Sequence, residues 1–238
     1  MNKFFSLKIR RRQLYFGVAA LLLCLYLGIL GLEYTIDERE LAAIPNQPTT
    51  APTGTVSIII KVPERILEVY NDGQLYKKYR VAVGKSKTPT PVGEWKVVWK
   101  DYNWGSGFGT RWMGLNVPWG VYGIHGTNNP WSIGRFASHG CIRMRNKDVE
   151  ELFEWVPIGT EVKIVGPKVK VQRTLKKQMT GADVVMLQVK LKELGYLKAR
   201  ADGIFGAVTE EAVRAFQADK GLEVNGVVNR QMLDLLGI

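Results

Sequence analysis

Three successive hydrophobic patterns run along this chain. Residues 14–32, LYFGVAALLLCLYLGILGL, carry no charge. At ~1.5 Å per residue a helix over them extends about 28 Å, close to the hydrocarbon thickness of a bilayer. The pattern predicts a single N-terminal transmembrane helix. A cleaved signal peptide and a buried core helix are the alternatives, but no A-x-A-like site follows the run. From Val56 onward the pattern shortens to strands. VSIIIKV (56–62) and RILEVY (65–70) are rich in β-branched residues, and NDG (71–73) makes a tight turn into QLYKKYRVAVG (74–84). Leu75, Tyr79, Val81 and Val83 alternate as the buried face of that strand would. A proline-bearing loop and a further strand follow in TPTPVGEWKVVWK (88–100).

One helix interrupts the strands. In NKDVEELFEWV (146–156), Val149, Leu152, Phe153 and Val156 form one stripe, Asn146 is the expected N-cap, and Pro157 and Gly159 end the run. TEVKIV (160–165) returns to strand. Beyond residue 174 the apolar spacing changes to i, i+3, i+4 in three short segments. DGIFG and NGVV punctuate them, so Gly203 and Gly206 read as turn positions. The predicted fold is therefore a mainly β, sandwich-like unit with one helix, followed by a small, independent three-helix domain. The boundaries read as a basic N-terminus over 1–13, the membrane helix over 14–32, a Pro/Thr-rich linker over 33–55, the β unit over 56–166 and the helical domain over 174–238.

Charge orients this arrangement. The formal net charge is +11, and five basic residues with no acid lie in the first 32 positions. That run places the N-terminus inside and the remainder outside the membrane. The remainder is moderately basic, which suits an anionic partner such as wall polymer, nucleic acid or lipid without choosing among them. An extracytoplasmic location argues against nucleic acid.

The two cysteines, Cys24 and Cys141, fall on opposite sides of this division. Cys24 lies in the apolar run, so Cys141 is an unpaired thiol in an oxidising compartment. Both histidines, His125 and His139, lie within 16 residues of it. His139 and Cys141, two apart, would share a face if their segment were a strand. Three readings follow. A histidine that takes the thiol proton and returns it to a leaving amine makes a minimal acyl-transfer centre. Gly140 would let a substrate approach the backbone, the amides of residues 140 and 141 would stabilise an oxyanion, and Arg143 would grip a carboxylate in a bidentate fork. Alternatively, two histidines and a thiol are three metal ligands, or the cysteine is a small buried hydrophobe. Trp104, Trp112, Trp119 and Trp131 precede the cysteine in a loop-rich stretch, where they either line a groove or pack under the loops.

The segments IHGT (124–127) and SHGCIRMRNKDVEEL (138–152), with the TPTPVGEW loop, resemble the active-site signature of the L,D-transpeptidases, cysteine enzymes of bacterial cell-wall assembly. The likeness covers about residues 56–166. It implies Cys141 as nucleophile, His125 as general base oriented by the carbonyl of Gly126, and an oxyanion region shaped by His139 and Gly140. Arg143 matches an arginine found in one branch of the family. The implied reaction cleaves the bond between the third residue of a peptidoglycan stem peptide and a terminal D-alanine, and passes the acyl group to an amine of a neighbouring stem. Water as acceptor would make a carboxypeptidase. The C-terminal segment is similar to a three-helix peptidoglycan-binding domain, implying glycan as a second partner and a module that raises local substrate concentration. No cofactor and no metal are implied, and oligomeric state is left open. A sortase-like enzyme fits less well, because no TL-x-TC motif is present. A non-enzymatic wall-anchoring protein would leave the His/Cys cluster unexplained.

Overall fold

The computed structural model describes residues 18–26, 28, 48–105, 107–167 and 169–238. The chain divides into two units, Met1–Asn46 and Gln47–Ile238. In the first, residues 18–26 and 28 are helical and exposed. The rest of the anticipated membrane helix, the basic N-terminus and most of the linker lie outside the described residues. Among the described residues no helix is long and apolar enough to cross a membrane.

The second unit is built on one eight-stranded sheet. Its strands are β1 (Val56–Lys61), β2 (Ile66–Asn71), β3 (Gln74–Arg80), β5 (Gly93–Tyr102), β6 (Arg111–Leu115), β7 (Tyr122–His125), β9 (Ile142–Arg143) and β10 (Glu161–Val165). The order is β3-β2-β1-β10-β5-β6-β7-β9. A two-stranded parallel pair, β4 (Val83–Gly84) and β8 (Phe136–Ser138), sits apart. The sheet curls until its edges nearly meet. Ala82, just beyond edge strand β3, exchanges two backbone hydrogen bonds with Arg143 of edge strand β9, at 2.8 and 2.9 Å. This corrects the sandwich-like expectation: the eight strands form one continuous sheet, and near-closure satisfies the edge groups that an open sheet would expose. Functionally, the short strand β9 is held on both sides, by β7 and by Ala82.

Alternation decides which side chains fill the curl. Ile58, Ile60, Leu67, Val69, Trp95, Val97 and Ile164 are buried within it. The helix Asn146–Trp155 closes one end with Val149, Leu152 and Phe153. Leu75 departs from the expected face and is exposed. The pairing of β2 with β3 shifts register between Val69 and Tyr70, so that Tyr70 opposes Leu75 while Val69 opposes Lys77. The extra residue reverses the period-two phase before Tyr79.

The C-terminal segment forms three helices, Ala182–Glu193, Ala207–Asp219 and Arg230–Leu236. Two buried glutamines pin its turns in the same way. The side-chain amide of Gln188 donates to the carbonyl of Ile204 and its Oε1 accepts from the Gly203 amide. Gln217 does the same with Val227 and Gly226. This domain is not independent of the sheet. Val185 and Ala201 belong to the core of the β unit. Lys192 Nζ reaches both carboxylate oxygens of Glu94, at 2.8 and 2.7 Å, and the Glu94 amide donates to the Ala201 carbonyl. Gly203 has φ +70°, and a Cβ there would stand 2.3 Å from the Trp119 ring. Close approach as well as turn geometry therefore requires glycine. Gly206, by contrast, has φ −88° and simply precedes the second helix.

Candidate active site

Strands β7 and β9 run parallel, with Ile124 opposite Ile142 and His125 opposite Arg143. This pairing places the Ile124–His125 of IHG beside the two residues that follow HGC, although 16 residues of sequence lie between the two strands. His125 is buried, at 2% exposure. Its Nδ1 lies 2.5 Å from the carbonyl oxygen of Gly126. One face of its ring stacks on Trp112, with centroids 5.3 Å apart and planes 20° apart, and the edge of Phe108 closes at 4.9 Å. Burial is the main cause that lowers the pKa of His125 to about 4, opposed by backbone hydrogen bonds to Gly126 and Phe108 and assisted by the charge of Arg143. The imidazole is therefore neutral at physiological pH.

Cys141 is half-buried and unpaired. Burial pushes its thiol upward, while a backbone hydrogen bond from Gly123 and the positive charge of Arg143 act against that rise. The thiol and the imidazole are thus each neutral at rest, unlike the thiolate and imidazolium that a cationic histidine would favour.

The turn carrying Cys141 differs from the strand considered from sequence. Residues 139–141 lie between β8 and β9 and belong to neither. Gly140 has φ +116°, and a Cβ would meet the Tyr122 ring at 2.6 Å. Alternation therefore does not bring His139 and Cys141 onto one face, and His139 is exposed. Ser138, wholly buried, shapes the turn. Its hydroxyl donates to the carbonyl of Cys141 at 2.6 Å and accepts from the Gly140 amide at 3.0 Å. The Gly140 amide is thus engaged inside the turn, which departs from the expected pair of oxyanion donors at 140 and 141. Arg143 lies on β9 beside the pair, and its Nε is buried with no hydrogen-bond partner among the described residues.

Asn146 also departs from its expected place. Arg145 is the N-cap, Asn146 is the first helical residue, and no side chain caps the helix. The Asn146 Oδ1 instead accepts from the Thr127 amide at 3.0 Å, tying the loop that leaves His125 to the helix that follows Cys141. The tryptophans separate by role. Trp104 and Trp112 pack together with Phe108 over His125, Trp119 packs on Trp95 and Gly203, and Trp131 is exposed. Among the described residues no group of three His, Cys, Asp or Glu side chains comes together as a metal site requires, so His125, His139 and Cys141 do not form the three-ligand cluster weighed from sequence.

Residues 55–164 match the model of the L,D-transpeptidase catalytic domain, and residues 180–236 match that of a peptidoglycan binding domain. A Bacillus licheniformis protein named as the L,D-transpeptidase YkuD is 47% identical over 117 residues, which cover 49% of this chain and 68% of that protein. The chain belongs to the L,D-transpeptidase family. The YkuD protein of Bacillus subtilis is 46% identical, over 45% of this chain and 64% of its own length. Among solved structures, the catalytic domain of the E. faecium L,D-transpeptidase aligns with 48% of this chain and 98% of its own at 26% identity and a TM-score of 0.41.

Several residues that build this L,D-transpeptidase site were not singled out from sequence. Ser138 acts through its hydroxyl on the backbone of the turn, Gly123 through its own backbone, and Phe108 comes from a different loop; Trp112, noted from sequence only as one of four tryptophans in a loop-rich stretch, lies on strand β6. Only Ser138 left a local signal: a small hydroxyl residue two before a glycine is the composition of a side-chain-stabilised turn.

Proposed function

We propose that this chain is a peptidoglycan L,D-transpeptidase that works through a thioester on Cys141. The observation that carries the reading is the pairing of β7 with β9, which sets the His125 strand directly beside the strand that follows Cys141. In the first step Cys141 Sγ attacks the carbonyl carbon between the third stem residue and the terminal D-alanine. His125 takes the thiol proton and delivers it to the departing D-alanine amine, and the C–N bond breaks as the C–S bond forms. In the second step the amine of a neighbouring stem attacks the thioester, gives up a proton to His125, and leaves a 3→3 cross-link with the thiol restored. The Gly126 carbonyl orients the imidazole. The unpartnered Arg143 Nε supports recognition of a substrate carboxylate.

The C-terminal domain serves as the wall-binding part, held against the catalytic sheet by Val185, Ala201 and the Lys192–Glu94 contact. The apolar run over 14–32 serves as an anchor in the cell membrane, with the catalytic domain on the wall side. The full-length chain incubated with disaccharide-tetrapeptide should give cross-linked dimers and free D-alanine. Tripeptide and D-alanine without dimers would instead make the protein a carboxypeptidase, and no turnover with wall binding intact would make it an anchoring protein.

A further inference from the structure

Trp131 is 82% exposed. Each of the other six tryptophans packs against another aromatic ring: Trp95 with Trp119, Trp155 with Tyr76, and Trp99, Trp104 and Trp112 with one another. Trp131 makes no such contact among the described residues. An exposed indole offers a flat apolar face on which another ring can lie.

The exposure is built in. Trp131 sits in a 3-10 turn, Pro130–Ser132, whose hydrogen bonds are made without it. Ser132 donates to the Asn129 carbonyl through both its amide, at 3.1 Å, and its hydroxyl, at 2.7 Å. The Asn129 amide in turn donates to Thr127 Oγ1 at 3.0 Å. Gly134, on the far side, donates to the Val81 carbonyl at 3.1 Å. Buried Ser132 and Thr127 are the roots of the loop, and the ring projects from a framed tip. The Asn129 side chain does not cap the turn, and Asn129 is exposed beside the ring in sequence.

The loop joins the two catalytic segments, leaving from His125 and returning through β8 towards Cys141. Trp131 is six residues after His125, a reach of at most about 20 Å. A stem peptide whose third residue is attacked by Cys141 carries its sugar about three residues away, roughly 10 Å when extended. The chain between His125 and Trp131 is thus long enough for the loop tip to meet the sugar that bears the reacting stem.

We infer that Trp131 is a stacking platform for the glycan of the stem-bearing peptidoglycan, one amino-sugar ring lying its C–H face on the indole, with the Asn129 amide at its rim to meet hydroxyl or N-acetyl groups. The inference rests on the proposed reaction for the identity of the ligand and adds a specificity residue: the enzyme reads the sugar as well as the peptide. A flat apolar face with a neutral amide two residues before it in the loop suits an uncharged sugar ring.

The test has two arms, both on the full-length chain in detergent. In the first, kcat/KM is measured for disaccharide-tetrapeptide and for sugar-free tetrapeptide. Wild type is expected to favour the sugar-bearing donor about tenfold through KM. Trp131→Ala should remove that preference and leave turnover of the free tetrapeptide unchanged, while Trp131→Phe should keep part of it. An unaltered preference in Trp131→Ala overturns the inference. The second arm needs no turnover: the indole N–H resonance of Trp131, assigned by its loss in Trp131→Phe, should shift when peptide-free glycan strands are added. A resonance that stays in place, or that moves only with phospholipid vesicles or free stem peptide, overturns the inference whatever the enzyme does. Absence of wild-type turnover alongside a glycan-induced shift would sink the transpeptidase reading and keep the platform.

Discussion

Ser138 clamps the turn that presents Cys141, donating its hydroxyl to the Cys141 carbonyl at 2.6 Å while accepting from the Gly140 amide at 3.0 Å. Ser138 is wholly buried and its bond from the Gly140 amide is buried, so removing the oxygen strands that amide away from water and leaves the part-buried Cys141 carbonyl without its donor, at a cost of about 1–3 kcal/mol. It also frees Gly140, whose φ of +116° is held by that turn. Ser138→Ala should therefore lower kcat at least about tenfold through misplacement of the nucleophile, with a smaller effect on KM. Steady-state kinetics beside a thermal melt checks this. A melt lowered with kcat intact would reduce Ser138 to a purely structural role.

Burial of neutral His125 predicts a specific acid sensitivity. The unfolded chain takes up a proton near pH 6.5, whereas the folded chain resists until about 4. Stability should therefore fall as pH drops through that window, by about 3 kcal/mol at its foot. Glu68 and Glu94, both held below the usual carboxylate range against desolvation by hydrogen bonds from Lys61 and Lys192, lose their contributions only at lower pH. Asp148, raised by burial, acts in the opposite direction. Denaturant unfolding of wild type and His125→Asn across pH 4–7 isolates the histidine. Parallel pH curves for the two proteins would contradict the prediction.

A neutral thiol predicts slow alkylation near neutrality. Iodoacetamide labelling of Cys141 should accelerate with pH to an apparent pKa above that of an ordinary thiol, because desolvation outweighs the Gly123 hydrogen bond and the Arg143 charge. Arg143→Gln should move the curve higher still. A plateau already reached at pH 6 would reveal a thiolate–imidazolium pair instead.

The seam between the domains predicts joint unfolding. Trp119 on Gly203 and Lys192 on Glu94 bind the helical domain to the sheet. Gly203→Val meets both a forbidden φ and the Trp119 ring, and should cost several kcal/mol, roughly 2–4. It should also split a single calorimetric transition into two. A transition that stays single and unshifted would mean that the seam adds nothing to the fold.

How much of this was legible depended on whether the signal was local. The strands up to residue 100, the last strand and the helix before it announced themselves by period, and the three C-terminal helices by i, i+3, i+4 spacing, whereas β6 and β7 lie in the stretch that read as loops because its glycines and tryptophans break the alternation. The closure of the sheet did not, since the Ala82–Arg143 bridge joins positions 61 residues apart and leaves no mark in either segment. Leu75 was misplaced because a bulge is a backbone event that apolar periodicity does not record. At the site, His125, Cys141 and Arg143 stood out as rare or charged residues in an unusual cluster. Ser138 and Gly123 did not, because each acts through a hydrogen bond at the backbone of the turn or at the thiol. The helical domain looked detachable because its own core is complete. Glu94 and Lys192, which attach it, are 98 positions apart and carry no local signal of the 2.8 Å contact between them.

The central claim is a covalent one, and intact-mass spectrometry tests it most directly. Wild-type protein mixed with disaccharide-tetrapeptide whose third-residue side-chain amine is acetylated, so that no acceptor amine is present, then quenched in acid, should carry one added mass equal to the donor less D-alanine. Peptide mapping should place that mass on the segment containing Cys141, and Cys141→Ala should carry none. Cross-linking that persists in Cys141→Ala, or an adduct mapped to any other residue, would contradict the account.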